Sequence, residues 1–107
     1  MTRCGFVLKV RKDCIGEYRC HHQAVWPEML EALKRHGWHN YSLFLREDGL
    51  VFGYVETDAD LKAARAGMAG EEVNSRWQGL MASLREPLDK DHPDVKQVVL
   101  EEVFHLE

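Results

Sequence analysis

No stretch of this chain approaches ~18 consecutive apolar residues, so nothing in it reads as a membrane-spanning helix. The first ten residues, Met1 to Val10, contain no long apolar run and do not read as a secretory signal. Basic charge is in short supply: 14 Lys and Arg stand against 18 Asp and Glu, a formal net charge of −4. A nucleic-acid partner would want a basic face, and beyond Arg3, Lys9, Arg11 and Lys12 the cations are scattered singly. Cysteine is scarce and odd in number, with Cys4, Cys14 and Cys20 and no C-x-x-C pair. That argues against a disulfide framework and fits reduced thiols in the cytoplasm. Repeats, low-complexity tracts and linkers are absent too.

What is present is a soluble globular composition, 45% hydrophobic and 30% charged over 107 residues. That length is one domain, expected to span residues 1–107 around one core. Cys4 to Val10 alternates around Phe6, Leu8 and Val10 and predicts a strand. Asp13 is a candidate N-cap for a helix running to about Arg35, which Gly37 would end in the left-handed conformation. Pro27 lacks the backbone donor that would reach Gln23, so the helix should bend or restart there, with Pro27 opening the new segment.

Asn40 to Asp48 predicts a second strand, with Tyr41, Leu43 and Leu45 on one face. Asp48-Gly49 is a turn signal, and Leu50 to Glu56 is the returning strand of a hairpin. Thr57 and Asp60 have capping-box spacing ahead of a helix that Gly70 interrupts. Helical spacing of Val73, Trp77, Leu80, Met81 and Leu84 continues it from Glu71 to about Leu84. Pro87 and the polar run after it form a loop, and Val95 to Leu106 predicts a last strand. The order is β-α-β-β-α-β with the second helix interrupted, the ferredoxin-like α+β pattern. Both helices cover one sheet face. The other face carries aromatic and aliphatic residues, and a homodimer with sheets packed face to face as an α+β barrel would cover it.

The first helix poses a chemical question. At ~100° per residue, Ile15, Tyr18, His22, Trp26, Met29 and Leu33 share one face. His22 lies near the centre of that stripe with Tyr18 one turn before it, while His21 points away. An imidazole there needs hydrogen-bond partners. Either His22 is a core residue bonded to a hydroxyl or a backbone carbonyl, or it lines a cleft together with Tyr18. Asn40, Tyr41, Trp26 and Trp77 are further candidates for such a cleft. A His with several aromatic rings and an amide resembles a carbohydrate pocket, where sugar C–H faces stack on rings and hydroxyls need directional partners.

Glu17 to Leu45 carries a Tyr, a His four residues on, then Trp26-Pro27-Glu28, then His36-Gly37 and Asn40-Tyr41 leading into a strand. This pattern resembles the family of L-rhamnose mutarotases, and the likeness extends over essentially the whole chain, including Ser75-Arg76-Trp77 and the C-terminal Glu101 to Leu106. The resemblance implies a ferredoxin-like domain that pairs into a dimer and interconverts the α and β pyranose anomers of a 6-deoxy monosaccharide. It implies that His22 is the proton donor and that Tyr18, Tyr41 and Trp77 contact the sugar. Two features depart from it. Gln78 follows Trp77 where many members have a second Trp, and Glu86 to Lys96 differs from their loop before the last strand.

Anomer exchange opens a hemiacetal: a base takes the anomeric proton, an acid protonates the ring oxygen, and the aldehyde recloses on its other face. It requires no redox cofactor and no metal. His22 is expected as the acid, with Tyr18 orienting it; a tyrosine, a water or His21 would be the base. His21, His22, His36 and His39 lie in one region but show no closed metal-ligand spacing. The competing functions are a dimeric α+β barrel oxygenase or haem-handling protein, with His22 as ligand or base, and a non-catalytic small-molecule binding domain.

Overall fold

Alternation along β1 (Thr2–Val10) sends Phe6, Leu8 and Val10 to one side, where all three are buried. In the computed structural model, which describes residues 1–107, β1 is the centre of an antiparallel sheet. On one side it pairs with β3 (Leu50–Thr57), from Thr2 opposite Thr57 to Lys9 opposite Leu50. On the other it pairs with β4 (Arg85–Glu86) and β5 (Gln97–Leu100) at successive positions. The outer strand, β2 (Trp38–Leu45), forms a hairpin with β3. The order β2-β3-β1-β4 with helical connections is the ferredoxin-like arrangement expected.

The first helical region is split as proline chemistry requires. A 3-10 turn (Lys12–Cys14) leads into α1 (Ile15–His22), and α2 (Pro27–Arg35) restarts with Pro27 in its first turn. Gly37 takes φ 78, and the chain then enters β2. After the hairpin come α3 (Leu61–Ala69) and α4 (Glu72–Ala82), separated at Gly70. Met29 and Ala32 of α2, Leu61 and Met68 of α3, and Val73, Trp77 and Met81 of α4 join Phe6, Leu8, Val10, Val51 and Val55 in one core. The helices therefore lie on the inner sheet face.

Four local expectations change. Asp13 does not cap α1; it lies in the 3-10 turn, 3.1 Å from Arg11, and Cys14 at the cap position makes no side-chain capping bond. Thr57 is fully buried at the end of β3, and Asp60 caps α3, accepting the Ala63 N–H at 2.7 Å. β2 starts at Trp38 rather than Asn40 and ends at Leu45. Its pairing with β3 is irregular between His39 and Ser42, with Asn40 at φ 50. The last strand is short: only Gln97–Leu100 pairs, and neither Val95 before it nor Val103 and Phe104 after it joins the sheet. Strand propensity needs a neighbour to pack on. Past Leu100 an Arg3–Glu102 ion pair continues toward β1, but Val103, Phe104 and Leu106 bury nothing, at 87%, 79% and 80% exposed.

Candidate active site

The gap at residues 23–26 separates α1 from α2, and the last turn of α1 faces a cavity of about 550 Å³ between helices and sheet. His22, Tyr18, Tyr41 and Trp77 all line it. Asn40 and Trp26 do not. The Asn40 amide donates to Glu56 Oε2 at 2.9 Å on the outside of the hairpin, because the backbone irregularity turns it away. Trp26 stands behind Trp77, edge to face with ring centroids 5.1 Å apart. It supports a wall of the cavity without forming it.

His22 packs against Tyr18 with ring centroids 4.2 Å apart, and meets Trp77 nearly perpendicularly at 5.3 Å. Its Nδ1 lies 2.8 Å from the Tyr18 main-chain oxygen. A carbonyl only accepts, so Nδ1 carries hydrogen, and in the neutral ring Nε2 holds the lone pair. Nε2 makes no protein hydrogen bond and is not sealed from solvent. The two readings of this histidine therefore combine: one nitrogen is anchored in the backbone, and the other is unbonded on a ring that lines the cavity. Burial pushes the imidazole pKa below its ordinary value; the Tyr18 carbonyl opposes this, and Arg85 and His21 add to it. At neutral pH the ring is a neutral base.

The tyrosines are poor bases. Desolvation pushes the Tyr41 phenol up to about 12 and raises Tyr18 as well. Tyr41 is 37% exposed as a residue, so this desolvation belongs to its hydroxyl end. The Tyr18 hydroxyl is buried with no protein partner, a donor waiting for an acceptor. No carboxylate lines the cavity. Among its lining groups, His22 Nε2 is the one with appreciable basicity near neutral pH.

Five polar groups here were not expected from sequence, Arg65, Asn74, Arg85, Lys96 and Gln97, and they stand beside Gln78. Arg65 sits over the Phe6 ring at 5.6 Å and donates to Gln97 Oε1. Its position held a signal, since it falls on the buried face of α3 with Leu61, Ala64 and Met68. Arg85, just past α4, donates through Nη1 to Gln78 Oε1 at 3.1 Å; nothing local marks it. Of the other histidines, His36 and His39 are tied to carboxylates by hydrogen bonds, while His21 Nε2 is buried with no hydrogen-bond partner. His36 Nε2 is 2.7 Å from Glu71, His39 Nε2 is 2.8 Å from Asp58, and His21 Nε2 is 3.6 Å from Glu17. No three His, Cys, Asp or Glu side chains converge as a metal-ligand group.

Comparison with known proteins places this geometry in context. A family profile described as L-rhamnose mutarotase matches residues 3–106. The L-rhamnose mutarotase of Bacillus subtilis is 42% identical over 110 residues, and that of Pectobacterium carotovorum 40% over 108, each covering the whole of both chains. The crystal structure of an L-rhamnose mutarotase from Formosa agariphila superposes with a TM-score of 0.80 at 28% identity, again over all of both chains. A Mycobacterium tuberculosis protein matches with a TM-score of 0.60 at 14% identity over 99% of this chain and all of that one, a likeness of fold alone.

Proposed function

This chain belongs to the L-rhamnose mutarotase family, and from that premise we propose that it interconverts the α and β pyranose anomers of a 6-deoxy sugar, L-rhamnose foremost, in the cavity beside His22. The observation that carries the reading is the His22 ring, tied down through Nδ1 and open through Nε2. Two oxygens exchange a proton when the ring opens, the anomeric hydroxyl and the ring oxygen, and both are bonded to the anomeric carbon. One Nε2 can serve both. The neutral imidazole takes the anomeric proton as the C1–O5 bond breaks and the carbonyl forms. The resulting imidazolium, its pKa held low by burial, gives that proton to the departing ring oxygen. Rotation about C1–C2 and the reverse steps close the other anomer. Nothing is oxidised, and the proton count balances.

His22 is thus both the acid expected from sequence and the base for which sequence offered no single candidate. Tyr18 and Tyr41 remain phenols, so their role is to donate hydrogen bonds that hold sugar oxygens in place. Trp77, as a lining residue, offers apolar surface to the sugar. Acid–base catalysis of this kind contributes about 10²–10⁴-fold. The test is NMR exchange between anomeric resonances of L-rhamnose with and without protein. Exchange no faster than in buffer would end this reading.

The core shared by the strands and all four helices supports one domain over residues 1–107. The outer sheet face supports a homodimer. Phe44, Phe52, Val98 and Leu100 are exposed there at 60%, 39%, 38% and 41%, and the C-terminal Val103 and Phe104 extend the apolar surface. A second copy laid against this face would bury them. No helix is long and apolar enough to cross a membrane.

A further inference from the structure

The cavity is cationic in an acidic protein. Arg65, Arg85 and Lys96 line it, while none of the chain's 18 Asp and Glu residues does. Five of the six arginines elsewhere find carboxylates: Arg3 with Glu102, Arg11 with Asp13, Arg35 with Glu71, Arg46 with Asp48 and Arg76 with Glu28. The two cavity arginines bond only to neutral amides, Arg65 to Gln97 and Arg85 to Gln78. Arg85 is the less satisfied. Its Nη1 is taken by Gln78, yet its Nε is buried with no partner. A buried charged donor left unmet costs free energy. Nη2 has no protein hydrogen bond and, unlike Nε, is not sealed from solvent, so a carboxylate can meet the guanidinium there in a charge-assisted hydrogen bond.

The place of Arg85 suits a particular carbon of the sugar. In a pyranose, C6 hangs from C5, and C5 is bonded to the ring oxygen. A residue gripping the C6 substituent must therefore stand beside the group that protonates the ring oxygen. Arg85 and His22 line the same cavity, close enough that the guanidinium charge lowers the imidazole pKa.

We propose that this site also accepts sugars oxidised at C6, the hexuronates, holding their carboxylate on the Arg85 guanidinium, which has no carboxylate of its own, while His22 exchanges the anomeric proton. The inference rests on the mutarotase reading of the same cavity and extends its substrate class from neutral to anionic pyranoses. Arg65 and Lys96 add long-range attraction for the anion. The carboxylate supplies the counter-charge that Arg85 lacks within the protein, which a C6 methyl group would not.

The test uses matched pairs that differ only at C6, D-galacturonate with D-fucose and D-glucuronate with 6-deoxy-D-glucose. Calorimetry gives their affinities and NMR their anomer exchange. In at least one pair the uronate should bind the wild-type protein about tenfold or more tightly than its 6-deoxy partner, with an affinity that falls as salt rises. Arg85→Met should collapse that ratio at least tenfold, and Arg85→Lys should recover part of it. The salt dependence is read on wild-type protein, so it holds even where a variant folds poorly. Uronates that bind no better than their partners, a ratio unmoved in Arg85→Met, or tighter binding of glucose 6-phosphate than of any uronate would overturn the proposal. Tight, Arg85-dependent uronate binding with no anomer exchange of any sugar would instead overturn the mutarotase reading and leave the anion site standing.

Discussion

The Tyr18 main-chain oxygen and His22 Nδ1 lie 2.8 Å apart, one helical turn from each other. The bond orients the imidazole and settles which nitrogen is available for chemistry, because a carbonyl cannot donate. Tyr18 thus meets the candidate site twice, through its backbone at the histidine and as a lining residue whose buried hydroxyl has no protein partner.

Replacing His22 with Ala should lower kcat for anomer exchange by about 10²–10⁴-fold, the usual contribution of a placed acid–base group. His22→Gln preserves polarity but not proton transfer and should fall as far. Anomeric NMR on folded variants measures both, and a variant as fast as wild type would remove His22 from the mechanism.

The rate should depend on pH through the neutral form of His22. Its pKa lies below the ordinary 6.5, chiefly through burial, so kcat/KM should be level through neutrality and decline on the acid side with a midpoint below 6.5. A midpoint above 7 would contradict the assignment. The same shift bears on stability. The unfolded chain takes up this proton first as pH falls below 6.5, so the His22 contribution to folding is present above that pH and declines below it.

Trp77 is 5% exposed, edge-on to both Trp26 and His22. Trp77→Ala should destabilise the protein by about 3–5 kcal/mol, as large core truncations do. Denaturant unfolding gives the value, and a loss below 1 kcal/mol would mean the ring is not part of the packed wall.

Gly53 lies opposite Phe6 across the β1–β3 pair, and a Cβ there would overlap the far end of the Phe6 ring. Phe6 is 1% exposed and cannot swing into solvent. Gly53→Ala should therefore cost about 1–3 kcal/mol through overpacking. Because Phe6 also lines the cavity, KM for the sugar should rise in the same variant. Unfolding and steady-state kinetics measure the two effects separately.

Phe52→Glu places a charge at the centre of the outer sheet face, where Phe44 is 6.3 Å away ring to ring. Light scattering should show wild-type protein at the mass of two chains and the variant at one. A wild-type mass of one chain at micromolar concentration would remove the dimer.

Much of the fold was legible because its signals act over a few residues. Alternation around Phe6, the break at Pro27, the left-handed Gly37 and the Asp48-Gly49 turn each follow from local sterics and periodicity. The pairing of Tyr18 with His22 was legible for the same reason, since helical geometry alone places them one turn apart. Where local rules offered two answers, the outcome lay elsewhere. Thr57 and Asp60 both had capping chemistry, and the burial of Thr57 at the strand end decided for Asp60.

By itself, then, the order of residues determined the α+β pattern, the broken helix and a histidine on the buried stripe, because each depends on neighbours within a turn or a strand. Tertiary structure decided the rest. It opened a cavity beside His22, turned Asn40 outward through an irregular strand pairing, and brought Arg65, Arg85 and Gln97 from three separate segments to the same cavity. Those placements depend on how α3, β4 and β5 meet around the core, and long-range packing of that kind leaves no periodic mark in the chain.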